Sequence, residues 1–460
     1  MPSPAAALAT KYEATAAAFV KEHRLPGAAV GVVHDGELAW AGGAGFADRA
    51  SKRPSDPKTL YRIASITKTF TATAVMQLRD EGSLALDDPA IAYLPELEAA
   101  QSPLGPIESL TLRRMLSHES GLQSEPPGTN WSDVVYEDDP GRTLARAGEI
   151  ATRVPVHTQW KYSNLAYQLL GEIVARVAGT TYPAYIRSKI LRPLGMSATS
   201  LDPLPARLRA RRATGYEPRF LSDELELAPQ EVNVFGAEGG LWSCVEDLAR
   251  WLSCQMADEP RIAAKDTLKE MHKARYLTDE EWTNAWCIGW YARRRDDVVW
   301  VMHSGGYYGF ITNACFEPKE KVGAIALVNG IGHATELALQ LGTIAREAVR
   351  EAAPTIEVPT ALPEEWRSLI GLYVAPHFGT VMRLEWLDGK LTAIDPDLPT
   401  WKPTLAPTDD PDVFMIEPGF RESGELARFE RTKDARVVSL FFAVATLQRL
   451  EPVAPDEIGI

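Results

Sequence analysis

Cysteine is scarce: four in 460 residues, at Cys244, Cys254, Cys287 and Cys315, with no Cys-x-x-Cys pair among them. That number cannot staple a chain of this length, and the spacing does not suit a zinc ribbon. Cys244 and Cys254 read most simply as buried small apolar residues. No run approaches the roughly 20 apolar residues that a membrane-spanning helix needs. The first residues lack the basic start, apolar core and cleavage site of a secretory leader, because Lys11, Glu13, Lys21 and Glu22 interrupt an Ala-rich helical pattern. The expectation is a soluble, cytoplasmic protein with no membrane partner. Basic residues are outnumbered, 48 against 62, for a net charge of −14. Binding to a nucleic-acid backbone would require a strong local basic patch. The one Arg-rich stretch (Arg207, Arg209, Arg211, Arg212) is short and lies between Asp202 and Glu217, so no nucleic-acid partner is expected. His-Glu-x-x-His, Gly-x-Ser-x-Gly and phosphate-loop patterns are all missing, so neither a metal nor a cofactor is expected.

What is present is ordinary globular composition, 45% hydrophobic and 24% charged, in a chain long enough for two or three structural units. Residues 27–33 and 37–41 are apolar runs flanking Asp35-Gly36, a strong hairpin signal because both turn positions tolerate positive φ. Helical patterns follow at 65–81, with Gly82 as a stop, and at 110–116 and 164–178. Between them, 123–160 is rich in Pro, Gly, Asp and Trp, the texture of a functional rim. Strand-like runs occupy 298–302, 310–316 and 322–328, and a helix is expected from 333 to 353. This order suits an α+β layer assembled from both chain ends around an α-helical insertion. Three prolines in 354–363 mark a linker. Beyond it, 381–386, 390–394 and 437–442 read as short strands of a small all-β unit, barrel or sandwich. The expected domains are thus 1–353 and 364–460, with possible homo-oligomerisation.

Three short motifs carry chemistry. In Ser65-Ile-Thr-Lys68 the three-residue separation puts both side chains on one face at the start of a helix. A serine hydroxyl is a weak nucleophile until a base takes its proton, and a partly desolvated lysine is such a base. The pattern alone is weak, since about one chance match is expected in a chain this long. Ser55-Asp-Pro-Lys58 also matches, but Pro54 and Pro57 place it in a loop where no helical face aligns the pair. Tyr162-Ser163-Asn164 is the sole Tyr-x-Asn. A tyrosine there can shuttle protons if cationic neighbours favour its phenolate, and Asn164 can hold Lys68 or a substrate carbonyl. His303-Ser-Gly-Gly306 ends an expected strand, where glycines let backbone approach a ligand. His34-Asp-Gly36 and His377-Phe-Gly379 share its His-x-Gly pattern but not the double glycine. His118 reads as bracing a helix end. His157 is a possible substrate contact, and Tyr307 and Tyr308 are possible pocket walls.

In this order the three motifs resemble those of the penicillin-recognising serine hydrolases, nearest the class C β-lactamases with their D-aminopeptidase and esterase relatives. Further segments are similar: Leu25-Pro26-Gly27, Tyr61-Arg62-Ile63, Met115-Leu-Ser-His118-Glu-Ser-Gly-Leu122, and Gly239-Gly-Leu-Trp-Ser243 before Asp247. The resemblance spans roughly residues 20–350. It implies a β-lactamase-like antiparallel sheet flanked by helices, with a barrel-like C-terminal domain such as some peptidase-like members carry. It implies Ser65 as acylated nucleophile, Lys68 as proton acceptor and Tyr162 as partner base. Asn164, His303, Gly305 and Gly306 would line the site, with the N–H groups of Ser65 and Gly306 as an oxyanion hole. His303 stands where β-lactamases have lysine, removing a permanent cation, and Val156-His157 replaces the usual Pro-Gly. The expected substrates are a small amide or peptide, D-residue-containing ones included, then a carboxylic ester, then a β-lactam. Acyl transfer and a peptide-binding role without turnover are the alternatives.

Overall fold

Asp35 and Gly36 both adopt positive φ (47 and 83) and close a hairpin between β1 (Gly27–His34) and β2 (Glu37–Asp48). The computed structural model describes residues 3–131, 139–218, 225–228, 236–352, 361–375, 379–398, 400–417 and 422–450. His377, positions 354–360 of the expected linker and part of the 123–160 rim lie outside these. The chain divides into two compact units, Met1–Ala353 and Pro354–Ile460.

In the first unit a nine-stranded antiparallel sheet joins strands from both chain ends. Its members are β1, β2, β3 (Arg53–Pro54), β4 (Tyr276–Leu277), β5 (Asn284–Trp286), β6 (Tyr291–Arg295), β7 (Val298–Tyr307), β8 (Phe310–Glu317) and β9 (Val322–Val328). The spatial order is β3-β2-β1-β9-β8-β7-β6-β5-β4, with β1 paired to β9 from Ala28↔Val328 to His34↔Val322. Strand β1 is buried along nearly its whole length because both faces are covered. Alternation of side chains sends Ala28, Val30 and Val32 into one core, with Tyr12 and Phe19 of α1 (Ala9–Glu22) and Leu337 and Leu341 of the long helix Ala334–Ala352. Ala29 and Val33 enter the other core, built on α2 (Thr67–Asp80), α3 (Asn164–Val177) and α4 (Val245–Met256).

Helix α2 is the pivot of that second core. Eleven of its residues are buried, among them Thr67, Lys68, Thr69, Thr71 and Thr73. Its threonine hydroxyls are satisfied internally, Thr69 donating to Ile66 O at 2.8 Å and Thr73 to Thr69 O at 2.8 Å. Burial is therefore affordable for these hydroxyls, and the one charged group the helix takes inside is Lys68. Ser55 and Lys58 lie in a loop, as the flanking prolines require.

The second unit is a closed eight-stranded barrel running from Gly371–Ala375 to Ala445–Arg449, with antiparallel neighbours throughout. Inward-facing Tyr373, Leu384, Leu391, Phe414, Ile416, Phe429 and Leu440 fill it. The architecture is thus the expected α+β layer together with a barrel. No described helix is long and apolar enough to cross a membrane.

Candidate active site

Ser65 sits in a single 3-10 turn, Ala64–Ile66, that leads directly into α2. The turn is reached through Ala64, a buried alanine held at φ 44, a conformation that residues with a Cβ rarely adopt. Strand β7 packs against this turn. Gly305 makes that approach possible: a Cβ there would lie 2.1 Å from Ile63 O. At Gly306, which is exposed, a Cβ would meet only Ile311 Cδ1 at 3.5 Å. The two glycines therefore differ, Gly305 fitted against backbone and Gly306 facing open space beside the Ser65 turn.

Lys68 lies fully buried one helical turn beyond Ser65. Its Nζ donates to Glu238 O at 2.6 Å, Asn164 Oδ1 at 2.7 Å and Ser65 Oγ at 3.1 Å. Burial lowers its pKa to about 7, and the carboxylates of Glu238 and Glu125 oppose that shift. The three contacts suit either protonation state, the ammonium donating to all three. A neutral amine keeps its two shortest bonds and turns its lone pair toward Ser65, the longest contact.

Tyr162 closes the other side, its hydroxyl hydrogen-bonded to Ser65 and its ring 5.0 Å from Lys68 Nζ. Burial pushes the phenol pKa up, reinforced by Glu125 and Glu238. The condition for a phenolate, dominant cationic neighbours, is not met, so the phenol keeps its proton at neutral pH. Asn164 is the first residue of α3, whose N-cap Ser163 accepts from Ala166 N–H at 3.0 Å. Its Nδ2 donates to Glu125 Oε1 at 2.9 Å, which fixes the amide orientation that offers Oδ1 to Lys68.

His303 is buried on β7, and its Nδ1 contacts Ser304 O at 2.6 Å. A carbonyl only accepts, so Nδ1 carries the proton and Nε2 is left as a buried acceptor without a partner among the described residues. Burial, then the nearby Lys68 charge, lowers the His303 pKa to about 3. The ring is neutral.

Three residues join the site that motif reasoning did not place there. His118 accepts the Ser163 N–H on Nδ1 at 3.1 Å, and its ring centroid lies 4.3 Å from that of Tyr162. It braces the Tyr162–Asn164 backbone from below, beyond the helix end expected for it. Glu125 and Glu238 supply the carboxylates around Lys68. A Leu-Ser-His-Glu-Ser-Gly-Leu segment hints at His118, but no local pattern reports the glutamates. His157 instead pairs through Nδ1 with Glu119 Oε1 at 2.6 Å, and its side chain is largely exposed. Tyr307 is buried, and Tyr308 donates its hydroxyl to Trp131 O. All four cysteines are buried and free. Among the described residues no group of three His, Cys, Asp or Glu side chains is placed to hold a metal ion.

A serine at a helix start with a buried lysine one turn on, a tyrosine at its hydroxyl, and a glycine-bearing strand alongside define the serine-hydrolase scaffold shared by β-lactamases and penicillin-binding proteins. The β-lactamase family model matches residues 12–346, and the chain belongs to that family. The chain is 28% identical over 321 residues to protein flp of Staphylococcus aureus (strain COL), a match covering 67% of this chain but only 61% of that relative. Among solved structures it is similar to the octameric penicillin-binding protein homologue from Pyrococcus abyssi (TM-score 0.65, 25% identity, 95% of this chain and 99% of that one). It shares its fold with a D-stereospecific amidohydrolase from Streptomyces sp. (TM-score 0.61, 24% identity, 72% of this chain and 98% of that one).

Proposed function

We propose that the protein is a serine hydrolase that cleaves a small amide or peptide through an acyl-enzyme on Ser65. The carrying observation is the 3.1 Å contact between Lys68 Nζ and Ser65 Oγ, with burial lowering the lysine pKa to about 7. Ser65 Oγ attacks the carbonyl carbon while its proton passes to neutral Lys68. The tetrahedral oxyanion is held by the N–H groups of Ser65 and Gly306. As the carbon–nitrogen bond breaks, the proton on Lys68 reaches the departing amine through the Tyr162 hydroxyl. Water then attacks the ester, giving up its proton to the same pair, which passes it to Ser65 Oγ as the acyl–oxygen bond breaks and the acid leaves. Asn164, held by Glu125, keeps Lys68 in place.

Substrate class rests on His303. A neutral ring offers no cation to pair with a substrate carboxylate, which favours an uncharged amide or peptide over a β-lactam. A D-residue acyl donor belongs to this class, and a carboxylic ester ranks second on the same machinery. The deciding experiment is intact mass after brief, quenched incubation with D- and L-aminoacyl amides, esters and β-lactams. An acyl adduct mapped to Ser65 is expected, left by an amide or ester and absent in Ser65→Ala. Full turnover by Ser65→Ala would overturn the reading. Binding without turnover, unchanged when Ser65, Lys68 and Tyr162 are all replaced, would favour a peptide-binding role.

A further inference from the structure

The Arg run at 207–212, too short for a nucleic-acid patch, has basic neighbours in the fold. Arg209 and Arg212 line a pocket of about 350 Å³ together with Arg53, from the edge strand β3, and Arg62, from the short strand Tyr61–Arg62. Four guanidiniums thus converge from three separate parts of a chain whose net charge is −14. The volume falls within the range of small-molecule sites, about 300–1,000 Å³.

The charges facing this pocket do not cancel. Two carboxylates are close, Asp48 in the wall and Asp202 behind it. Asp48 is occupied by Ser51 and Thr214, accepting from Ser51 N at 2.7 Å, Ser51 Oγ at 2.6 Å and Thr214 Oγ1 at 2.6 Å. Asp202 accepts from Trp242 Nε1 at 3.0 Å and lies 3.0 Å from Arg62 Nη1. Arg53 donates to Arg212 O, and Arg209 donates to Leu204 O at 3.1 Å. Among the described residues no carboxylate forms an ion pair with Arg53, Arg209 or Arg212. Most of their N–H donors remain available.

Arg62 supplies the second observation. It is 6% exposed, and its guanidinium is sandwiched 4.7 Å from the Trp242 ring and 4.8 Å from the Tyr307 ring. Its buried Nη1 makes no aligned hydrogen bond, the Asp202 contact being an ion pair out of alignment. Asp202 thus balances the Arg62 charge without filling its hydrogen-bonding capacity, and a buried, preoriented guanidinium in that state can still serve an acceptor in the pocket. Planar forks match a tetrahedral oxyanion with two parallel bonds each.

We infer that the pocket formed by Arg53, Arg62, Arg209 and Arg212 binds a small polyvalent oxyanion of the phosphate class, either free or as the phosphate of a small organic ester. Trp242 and Phe310 in the same wall offer an apolar seat for an ester's organic part. This site is separate from the Ser65 machinery, which supplies none of its lining residues.

The test is isothermal titration of the full chain at fixed ionic strength with inorganic phosphate, phenyl phosphate and acetate, against chloride as control. Saturable one-to-one binding of phosphate or phenyl phosphate is expected, with acetate at least ten-fold weaker. Tighter binding of phenyl phosphate than of phosphate identifies an organic ester as the better-fitting source, and equal or weaker binding identifies the free ion. Arg212→Gln and Arg209→Gln, both at non-core positions, are each expected to weaken binding at least ten-fold while the thermal unfolding midpoint without anion stays put. Arg207→Gln, outside the pocket lining, is expected to bind like the parent. No saturable binding above chloride, equal binding of acetate, or Arg212→Gln and Arg209→Gln proteins that bind like the parent would each overturn the inference.

Discussion

At the scale of single residues, the proposed chemistry turns on the protonation of Lys68. An amine lowered to about 7 is protonated and inert as a base below that pH, and free to accept the Ser65 proton above it. The acylation rate constant is therefore expected to rise with pH and level off above about 7, measured by stopped-flow under single-turnover conditions. Glu125 opposes the shift, so Glu125→Gln removes a charge while keeping an acceptor for Asn164. Its acid limb is expected to move to lower pH; an unmoved limb would mean that the carboxylate charge does not reach the lysine. Replacing Lys68 by Met is expected to cost roughly 10²–10⁴-fold in acylation, the usual range for a positioned base. The contact between Ser65 and Lys68 was legible in sequence because a helical turn is local, once the prolines beside Ser55 and Lys58 set that second match apart. Glu125 and Glu238 were not, since nothing along the chain records which distant carboxylates a fold brings beside a buried amine. His118 was half-legible: its segment is distinctive, but its bond to Ser163 N–H spans the irregular stretch between them.

At the scale of elements, the position of β7 against the Ser65 turn is set by one missing side chain. A Cβ on Gly305 would lie 2.1 Å from the Ile63 carbonyl, a backbone atom that cannot swing away, whereas one on Gly306 meets a flexible Ile311 methyl at 3.5 Å. Gly305→Ala is expected to destabilise the fold by about 1–3 kcal/mol, as overpacking does, and to lower kcat/KM at least ten-fold. Gly306→Ala is expected to leave chemical stability within ~0.5 kcal/mol, as surface changes do. Urea denaturation of both variants checks the contrast, and equal losses would refute it. The hairpin at Asp35-Gly36 and the apolar strands β7, β8 and β9 were legible because turn chemistry and dense β-branched runs are strong signals. The strands β4, β5 and β6 that complete the sheet were not. They are two to five residues long, and β6 reads Tyr-Ala-Arg-Arg-Arg, whose pairing is decided by the neighbouring edge rather than by its own composition.

At the scale of the whole molecule, three histidines of the first unit are held in their neutral form, His118 and His303 buried and His272 half-buried. Burial lowers His303 and His272 to about 3, and places His118 well below its ordinary value. The sign follows from linkage. A group whose folded pKa lies below its unfolded value, near 6.5 for histidine, favours folding fully above that value. As pH falls below 6.5 the unfolded chain takes up protons that the folded chain refuses, and the advantage is lost progressively toward pH 3. Carboxylates with lowered pKa, such as Asp48 at about 2, act only below about pH 4, and Lys68, lowered to about 7, acts above that value, so the histidines govern the window between. Unfolding free energy from urea titrations is expected to drop between pH 7 and pH 5. His272→Gln, at a residue outside the Ser65 site that contacts Gln255 Oε1 at 3.0 Å, should flatten the drop by about one proton's worth of slope. The second unit contains a single histidine, His377. Where the two units melt separately, only the transition of the first is expected to move over this range. A pH-independent first transition, or one that moves equally in His272→Gln, would mean that these rings take up protons without unfolding and that the core around them yields to charge.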